Sequence, residues 1–151
     1  MLMKPILATM IFAAALTVLA GDAKKPPGTR EELLRRFQDA ANAKDKNAIM
    51  GLFDWQGVSP DARAAQEYTV SFLFDQEELD SIALAPASEN YRLDQQANSV
   101  RLHPNIPVLG VVDVKCGGDA NPTEIMIPYG ETNAVFYLAA GIADTNSAAT
   151  K

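Results

Sequence analysis

The spacing of the apolar residues changes near Leu79, and this change constrains the fold more than any other feature of the sequence. Before Leu79 the apolar residues recur every three to four positions, as on one face of a helix. After it they alternate with polar residues, as in a strand that buries one face. The sequence therefore predicts an α+β domain, with three N-terminal helices packed on a curved antiparallel sheet, because neither apolar face can be buried alone.

Each predicted helix begins with a residue that caps helices well. Thr29, with Glu32 three residues later, has capping-box spacing, and Asp45 can cap a second, shorter helix that Gly57 would end. Ser59-Pro60 is a favoured start for the third helix, expected to end near Asp75. The apolar stripes expected on the three helices are Leu33, Leu34, Phe37, Ala40 and Ala41; Ile49, Leu52 and Phe53; and Ala62, Ala65, Tyr68, Thr69, Phe72 and Leu73.

In the second half of the chain, alternating apolar residues predict a strand over 79–85 and a long strand over 108–116. Two hairpins are predicted to add strands over 124–129 and 134–142. The polar stretch between the first two strands favours only short edge strands that end before His103-Pro104, because proline cannot donate to a ladder. The core is expected to contain Leu34, Phe37, Leu52, Phe53, Phe72, Ile82, Val112, Val114, Ile127 and Tyr137.

Residues 1–20 have the pattern of a signal peptide: a short start that contains Lys4, an apolar run, and small residues at Val18-Leu19-Ala20. Cleavage after Ala23 and an uncleaved anchor are the alternatives. We expect a flexible polar linker over 21–28, a single domain over 29–142 and a disordered tail over 143–151. The predicted location is the periplasm or the cell exterior, with no membrane attachment after cleavage.

The chain has a formal net charge of −6, with 13 basic and 19 acidic residues. This balance argues against nucleic acid or an anionic membrane as a partner, since both are bound through clustered lysine and arginine.

Cys116 is the only cysteine and His103 the only histidine. A nucleophilic pair would require hydrogen-bond contact between them. The simpler interpretation is a buried apolar thiol; a second is an intermolecular disulfide, if the adjacent Gly117-Gly118 turn exposes it. A zinc site of thiolate and imidazole ligands is excluded, because it needs more ligands than one cysteine and one histidine supply.

Acidic residues cluster where the helical half meets the first strand, at Asp75, Glu77, Glu78 and Asp80. The spacing lacks the alternating acids and central glycine of a calcium loop, so a solvated corner is expected, with no metal and no cofactor. Further carboxylates, among which no catalytic pair is distinguished, are Asp54, Asp61, Glu89, Asp94, Asp113 and Glu124.

Asp113 interrupts an apolar strand between Val112 and Val114. The simpler interpretation places it in solvent, on the face opposite these valines. The alternative places it inside a concavity of the sheet, where Asp113, Tyr129 and Tyr137 would be ligand-pocket residues. Trp55 is interpreted as a core residue, with an exposed anchor for a partner as the alternative.

The order of helices and curled sheet, together with the stretch from Leu33 to Trp55 and its Arg-Phe-Gln-Asp-Ala-Ala-Asn-Ala-Lys-Asp run, resembles small cone-shaped domains of the nuclear-transport-factor-2-like (cystatin-like) group. The stretch from Ile127-Pro128-Tyr129-Gly130 to Tyr137-Leu138 is similar to uncharacterised small secreted bacterial proteins. The resemblance implies a concave sheet able to hold a pocket and able to form a homodimer. It transfers no functional residue, and the chain departs from the usual order by placing its third helix before any strand.

The sequence contains no phosphate loop, dinucleotide fingerprint or nucleophile elbow. It therefore favours an exported, non-enzymatic binding or interaction module with no catalytic residue. Small-molecule binding in a sheet pocket is the alternative, followed by an enzyme that uses carboxylate chemistry.

Overall fold

Three helices precede a strongly curled antiparallel sheet in the part of the chain that the structure describes. The structure is a computed structural model, and it describes residues 25–75, 79–88, 102–118 and 122–143. Its elements are α1 (Arg30–Asn42), α2 (Lys46–Met50), α3 (Pro60–Asp75), β1 (Leu79–Ala85), β2 (Leu102–Pro104), β3 (Val108–Cys116), β4 (Thr123–Thr132), β5 (Val135–Leu138) and β6 (Gly141–Ala143). The predicted signal peptide lies outside these residues, as does the tail predicted over 143–151 apart from Ala143, which belongs to β6.

The strands form a four-stranded sheet in the order β1-β3-β4-β5 and a two-stranded sheet of β2 and β6. All of their pairings are antiparallel. The α+β class and the placement of the helices before the sheet are thus confirmed.

All three predicted helix starts are confirmed by their hydrogen bonds. The Thr29 hydroxyl accepts from the Glu32 amide at 3.1 Å, and the Glu32 carboxylate in turn accepts from the Gly28 amide at 2.9 Å. Asp45 accepts from the Ala48 amide at 3.0 Å, and Ser59 caps α3. These caps satisfy amides that have no partner within the helix.

The second helix is shorter than predicted: it ends at Met50 and not beyond Trp55. The residues that follow leave the helix because β5 pairs with them. The Leu138 amide donates to the Leu52 carbonyl at 2.9 Å, and the Asp54 amide donates to the Leu138 carbonyl at 3.0 Å. Backbone groups that bond to a strand edge cannot also continue the helical ladder.

Most of the predicted core is confirmed, and the exceptions are Tyr137, which is half-buried and lies outside the core cluster, and the face of α3, where the predicted core residue Phe72 is 38% exposed. Buried side chains from all three helices pack on those of β3, β4 and β5, and the largest that are fully buried are Leu33, Phe37, Ile49, Leu73, Ile127 and Leu138. In α3, however, the buried residues are Ala62, Val70 and Leu73, whereas Tyr68 is 74% exposed. Apolar residues occur around most of this helix, so its spacing did not determine which side would be buried.

Three details of the strands also differ from the prediction. The strand predicted over 134–142 is divided between β5 in the four-stranded sheet and β6 in the two-stranded sheet. His103 and Pro104 belong to β2 and pair with Ile142 and Gly141. Pro104 is tolerated because it lies at the end of a short ladder. The second hairpin turns at Asn133 and Ala134, both with positive φ, because β4 continues through Gly130 to Thr132.

Close packing against backbone at one position and against a buried ring at the other explains two glycines of the sheet. A Cβ on Gly130 would lie 2.1 Å from the Pro107 carbonyl oxygen, and a Cβ on Gly110 would lie 2.7 Å from the ring of Tyr129. The curled sheet therefore requires the absence of a side chain at these positions.

Candidate functional site

The three residues predicted to line a pocket of the sheet lie in different places. Tyr129 is buried on the face that meets the helices, where it pairs with Gly110 and Leu138. Asp113 alternates with the buried Val112 and Val114, so it lies on the opposite face. Tyr137 pairs with Gly130 at the far side of the sheet, on β5. The face that meets the helices is filled by packed side chains in the described residues.

Asp113 has an unusual environment for a carboxylate on a sheet. Its side chain is 17% exposed, and one oxygen lies 3.8 Å from the Lys115 ammonium. The other oxygen, Oδ1, is buried and has no hydrogen-bond partner in the structure. A buried oxygen without a donor destabilises the fold, and Asp113 lines neither the cleft beside Tyr129 nor the cleft beside Tyr137.

Tyr129 forms one wall of a shallow cleft of about 550 Å³ at the start of α1, together with Gly28, Thr29, Arg30, Glu31, Leu109 and Phe136. The pKa of the Arg30 guanidinium is raised, first by its hydrogen bond to Glu31 at 2.8 Å and then by the charge of Glu31 and the neighbouring Tyr129. The arginine therefore has a partner on its own helix.

Tyr137 belongs to a second cleft, of about 530 Å³, which we call the helical cleft. It lies between the segment that precedes α1, the helices α1 and α2, and β5. Its lining residues are Lys25, Pro26, Pro27, Arg35, Arg36, Asp39, Ala40, Ala43, Asp45, Ala48, Gly51, Leu52 and Tyr137. A cleft of this volume is in the range that encloses small molecules.

Backbone hydrogen bonds join the walls of the helical cleft. The Phe136 amide donates to the Pro27 carbonyl, and the Leu138 amide donates to the Leu52 carbonyl, both at 2.9 Å. The same edge of β5 thus holds the segment before α1 and the end of α2. The opening between the helices exists because their facing residues are small: Ala40, Ala43, Ala48 and Gly51.

The charged residues of the helical cleft are mostly paired. Arg35 donates to Asp39 at 3.1 Å, and Arg36 donates to Glu32 at 2.5 Å. The pKa of Glu32 is lowered, chiefly by its bond from the Gly28 amide and then by Arg36. Asp45 caps α2. The cleft therefore presents arginines whose positions are set by neighbouring carboxylates.

Cys116 is buried on the core side of β3, with its thiol 3.7 Å from the Thr123 carbonyl oxygen. Burial, with a contribution from Asp80, raises the pKa of this thiol. His103 lies in β2, which pairs with β6 and not with β3. A raised pKa opposes thiolate formation, so the environment is that of an inert structural cysteine.

Of the four clustered acidic residues at the junction of α3 and β1, the structure describes only Asp75 and Asp80. Asp75 ends α3, and Asp80 accepts from the Gly118 amide at 3.0 Å, which joins β1 to the turn after β3; Glu77 and Glu78 lie outside the described residues. Within the described ranges no three histidine, cysteine, aspartate or glutamate residues are grouped closely enough to hold a metal ion.

Trp55 is half-buried against the core. Its indole nitrogen donates to the Met50 carbonyl at 3.0 Å, and its ring centroid lies 5.1 Å from that of Phe53. The guanidinium of Arg63 lies 4.6 Å from the ring centroid, on the side of α3. The residue thus joins α2 to α3 and is not an exposed anchor.

Sequence reasoning missed most of the helical cleft. The sequence pattern singled out none of Arg35, Arg36 and Asp39, and it placed Lys25 to Pro27 in a linker. The single local signal was the run of small residues at Ala40, Ala43 and Ala48, which leaves space between helices only when α2 folds back on α1.

No protein-family model, curated protein or solved structure was found to match the chain. Among the described residues, no helix combines the length and apolarity required to cross a membrane.

Proposed function

We propose that this chain is a non-catalytic binding domain and that the helical cleft is its ligand site. The observation that carries the proposal is the cleft itself: about 530 Å³ of space, lined by apolar residues and by five charged side chains. Sites for small molecules typically have this size and composition. A small-molecule ligand was one alternative favoured by the sequence, although the site lies beside the sheet and not within it.

The walls of the cleft favour a preformed site. Pro27 and Leu52 are both held on β5 by backbone hydrogen bonds, and Asp45 holds the start of α2. A ligand would therefore bind without ordering these segments, which reduces the entropic cost of binding.

The carboxylates of the cleft support binding over catalysis. Asp39 is paired with Arg35 on the same helix face, and Asp45 is the N-cap of α2. A general acid or base must exchange its proton with a substrate. These two carboxylates instead have structural partners.

A neutral aromatic probe tests the site. Naphthylethanol, titrated into the isotopically labelled protein, is expected to shift the amide resonances of Ala48, Gly51 and Tyr137. Ala48→Leu places a larger side chain in the cleft and should abolish these shifts. Ala64→Leu makes the same change at an exposed position of α3, outside the cleft, and should leave them unchanged.

Shifts that appear elsewhere in the chain, or that persist in A48L, would contradict the assignment of the site. Circular dichroism of both variants establishes that they retain the helical content of the parent.

We also propose that the chain is exported to the periplasm or the cell exterior, as the charged start and apolar run of residues 1–20 indicate. N-terminal sequencing of the protein recovered from exporting cells is expected to begin at Gly21. Recovery of intact residues 1–20 in the membrane fraction would contradict this.

Within the α+β class, we propose that the fold is the cone-shaped arrangement of the nuclear-transport-factor-2-like group. It is supported by the strong curl of the sheet and by the packing of α1 and α2 against its inner residues. The homodimer that this resemblance implies stays a prediction, and light scattering of the purified protein measures it.

A further inference from the structure

We propose that the ligand of the helical cleft is a small organic anion, with an acidic head at the arginines and an apolar body against Tyr137. This inference rests on the proposed function, because it names the class of ligand for the same site. It follows from the charges, the hydrogen-bond donors and the apolar surface that line the cleft.

The cleft is locally richer in cations than the rest of the chain. Lys25, Arg35 and Arg36 line it, against the two carboxylates Asp39 and Asp45. The whole chain, by contrast, has a net charge of −6. Three cationic side chains against two carboxylates in the lining favour an anion over a cation, and the Glu32 carboxylate, which bonds to Arg36, lies outside this lining.

Both carboxylates of the lining already accept one hydrogen bond each. Asp39 accepts from Arg35 at 3.1 Å, and Asp45 accepts from the Ala48 amide at 3.0 Å. A cationic ligand would share these carboxylates with their present donors and would also meet three positive side chains.

The arginines retain donors for a ligand. A guanidinium carries five N–H groups. In the described structure Arg35 and Arg36 each use one of them, toward Asp39 and Glu32. The Arg36 side chain is only 13% exposed, so its stem is held by the protein while the remaining donors can bind a carboxylate or phosphate.

The apolar part of the cleft suits a flat hydrocarbon group. Pro26, Pro27 and Leu52 form its apolar wall, and Tyr137 adds an aromatic ring. Burial of an aromatic body against these residues would supply affinity, while the arginines would select the charge of the head.

Three probes with the same ring and different heads test the proposal: naphthylacetate, naphthylethanol and naphthylethylamine. Titration followed through the Tyr137 resonances should give an affinity for naphthylacetate about tenfold higher than for naphthylethanol, the scale of one hydrogen bond to a charged group. Naphthylethylamine should bind more weakly than either.

Removal of the positive charge of Arg35 should remove the preference for naphthylacetate over naphthylethanol. Arg35→Gln is expected to lower the naphthylacetate affinity about tenfold and to leave naphthylethanol unchanged. The double variant R35Q/D39N, which leaves no unpaired carboxylate, should behave in the same way. The control Arg63→Gln removes an equal charge from α3, outside the cleft, and should change neither affinity.

The salt dependence of probe binding to the unmodified protein is a second, independent test. Raising the NaCl concentration should weaken naphthylacetate binding several-fold, because salt screens exposed charges, and should leave naphthylethanol binding unaffected. If naphthylethanol binds in the cleft but naphthylacetate binds no tighter, the anion proposal is wrong and the binding site stands. If no probe shifts Tyr137, the proposed function fails as well.

Discussion

At the scale of single residues, Cys116 shows how a reactive group becomes structural. Its thiol lies against the Thr123 carbonyl on the core side of β3, and burial raises its pKa. The folded protein therefore binds this proton more tightly than the unfolded chain does, which couples the stability of the fold to pH.

The free energy of unfolding should fall as the pH rises above about 8, because the thiol ionises in the unfolded chain, with a pKa near 8.5, before it ionises in the fold. Below about pH 8 the contribution of this thiol is fully present. Denaturant unfolding at several pH values measures the effect, and Cys116→Ala serves as the control for other titrating groups. An equal pH dependence in both proteins would show that Cys116 does not contribute.

At the scale of secondary-structure elements, the β4–β5 hairpin contains a strained residue. Asn133 and Ala134 have φ of 53° and 60°, the conformation of a two-residue turn in which glycine is preferred at the second position. Alanine there costs about 1 to 2 kcal/mol relative to glycine, part of which the greater freedom of glycine in the unfolded chain offsets.

Ala134→Gly should therefore raise the free energy of unfolding by about 0.5 to 1 kcal/mol, measured from the midpoint of chemical denaturation. The comparison is Ala64→Gly within α3, where the same change should lower stability by about 1 kcal/mol. A destabilised A134G protein would mean that the turn is not under strain.

At the scale of the whole molecule, stability depends on one core that both halves of the chain build. Phe37 of α1 is fully buried among residues of α2, α3 and the sheet. Tyr68 of α3 is 74% exposed, on the side of that helix that the spacing had assigned to the core.

Phe37→Ala should cost about 3 to 5 kcal/mol through lost apolar burial and the remaining cavity. Tyr68→Ala should cost less than about 0.5 kcal/mol, as is usual for exposed positions. Thermal and denaturant unfolding of the two variants measure the difference. Similar losses of stability would place Tyr68 in the core and reverse the orientation assigned to α3.

The features that the sequence determined by itself are local ones. Thr29, Asp45 and Ser59 each accept a hydrogen bond from an amide three residues later. Four consecutive residues were therefore enough to predict where each helix begins. The alternation along β3 likewise predicted that Val112 and Val114 would be buried, because successive side chains of a strand point to opposite faces.

The tertiary structure alone decided where α2 ends, which face of α3 is buried and where a ligand site forms. The helix ends early because β5 bonds to Leu52 and Asp54, which are distant from it in the chain. The helical cleft exists because Pro27 and Leu52 meet the same strand edge. A long-range hydrogen bond is specified by both of its partners and by the packing that brings them together, so no short stretch of sequence contains it.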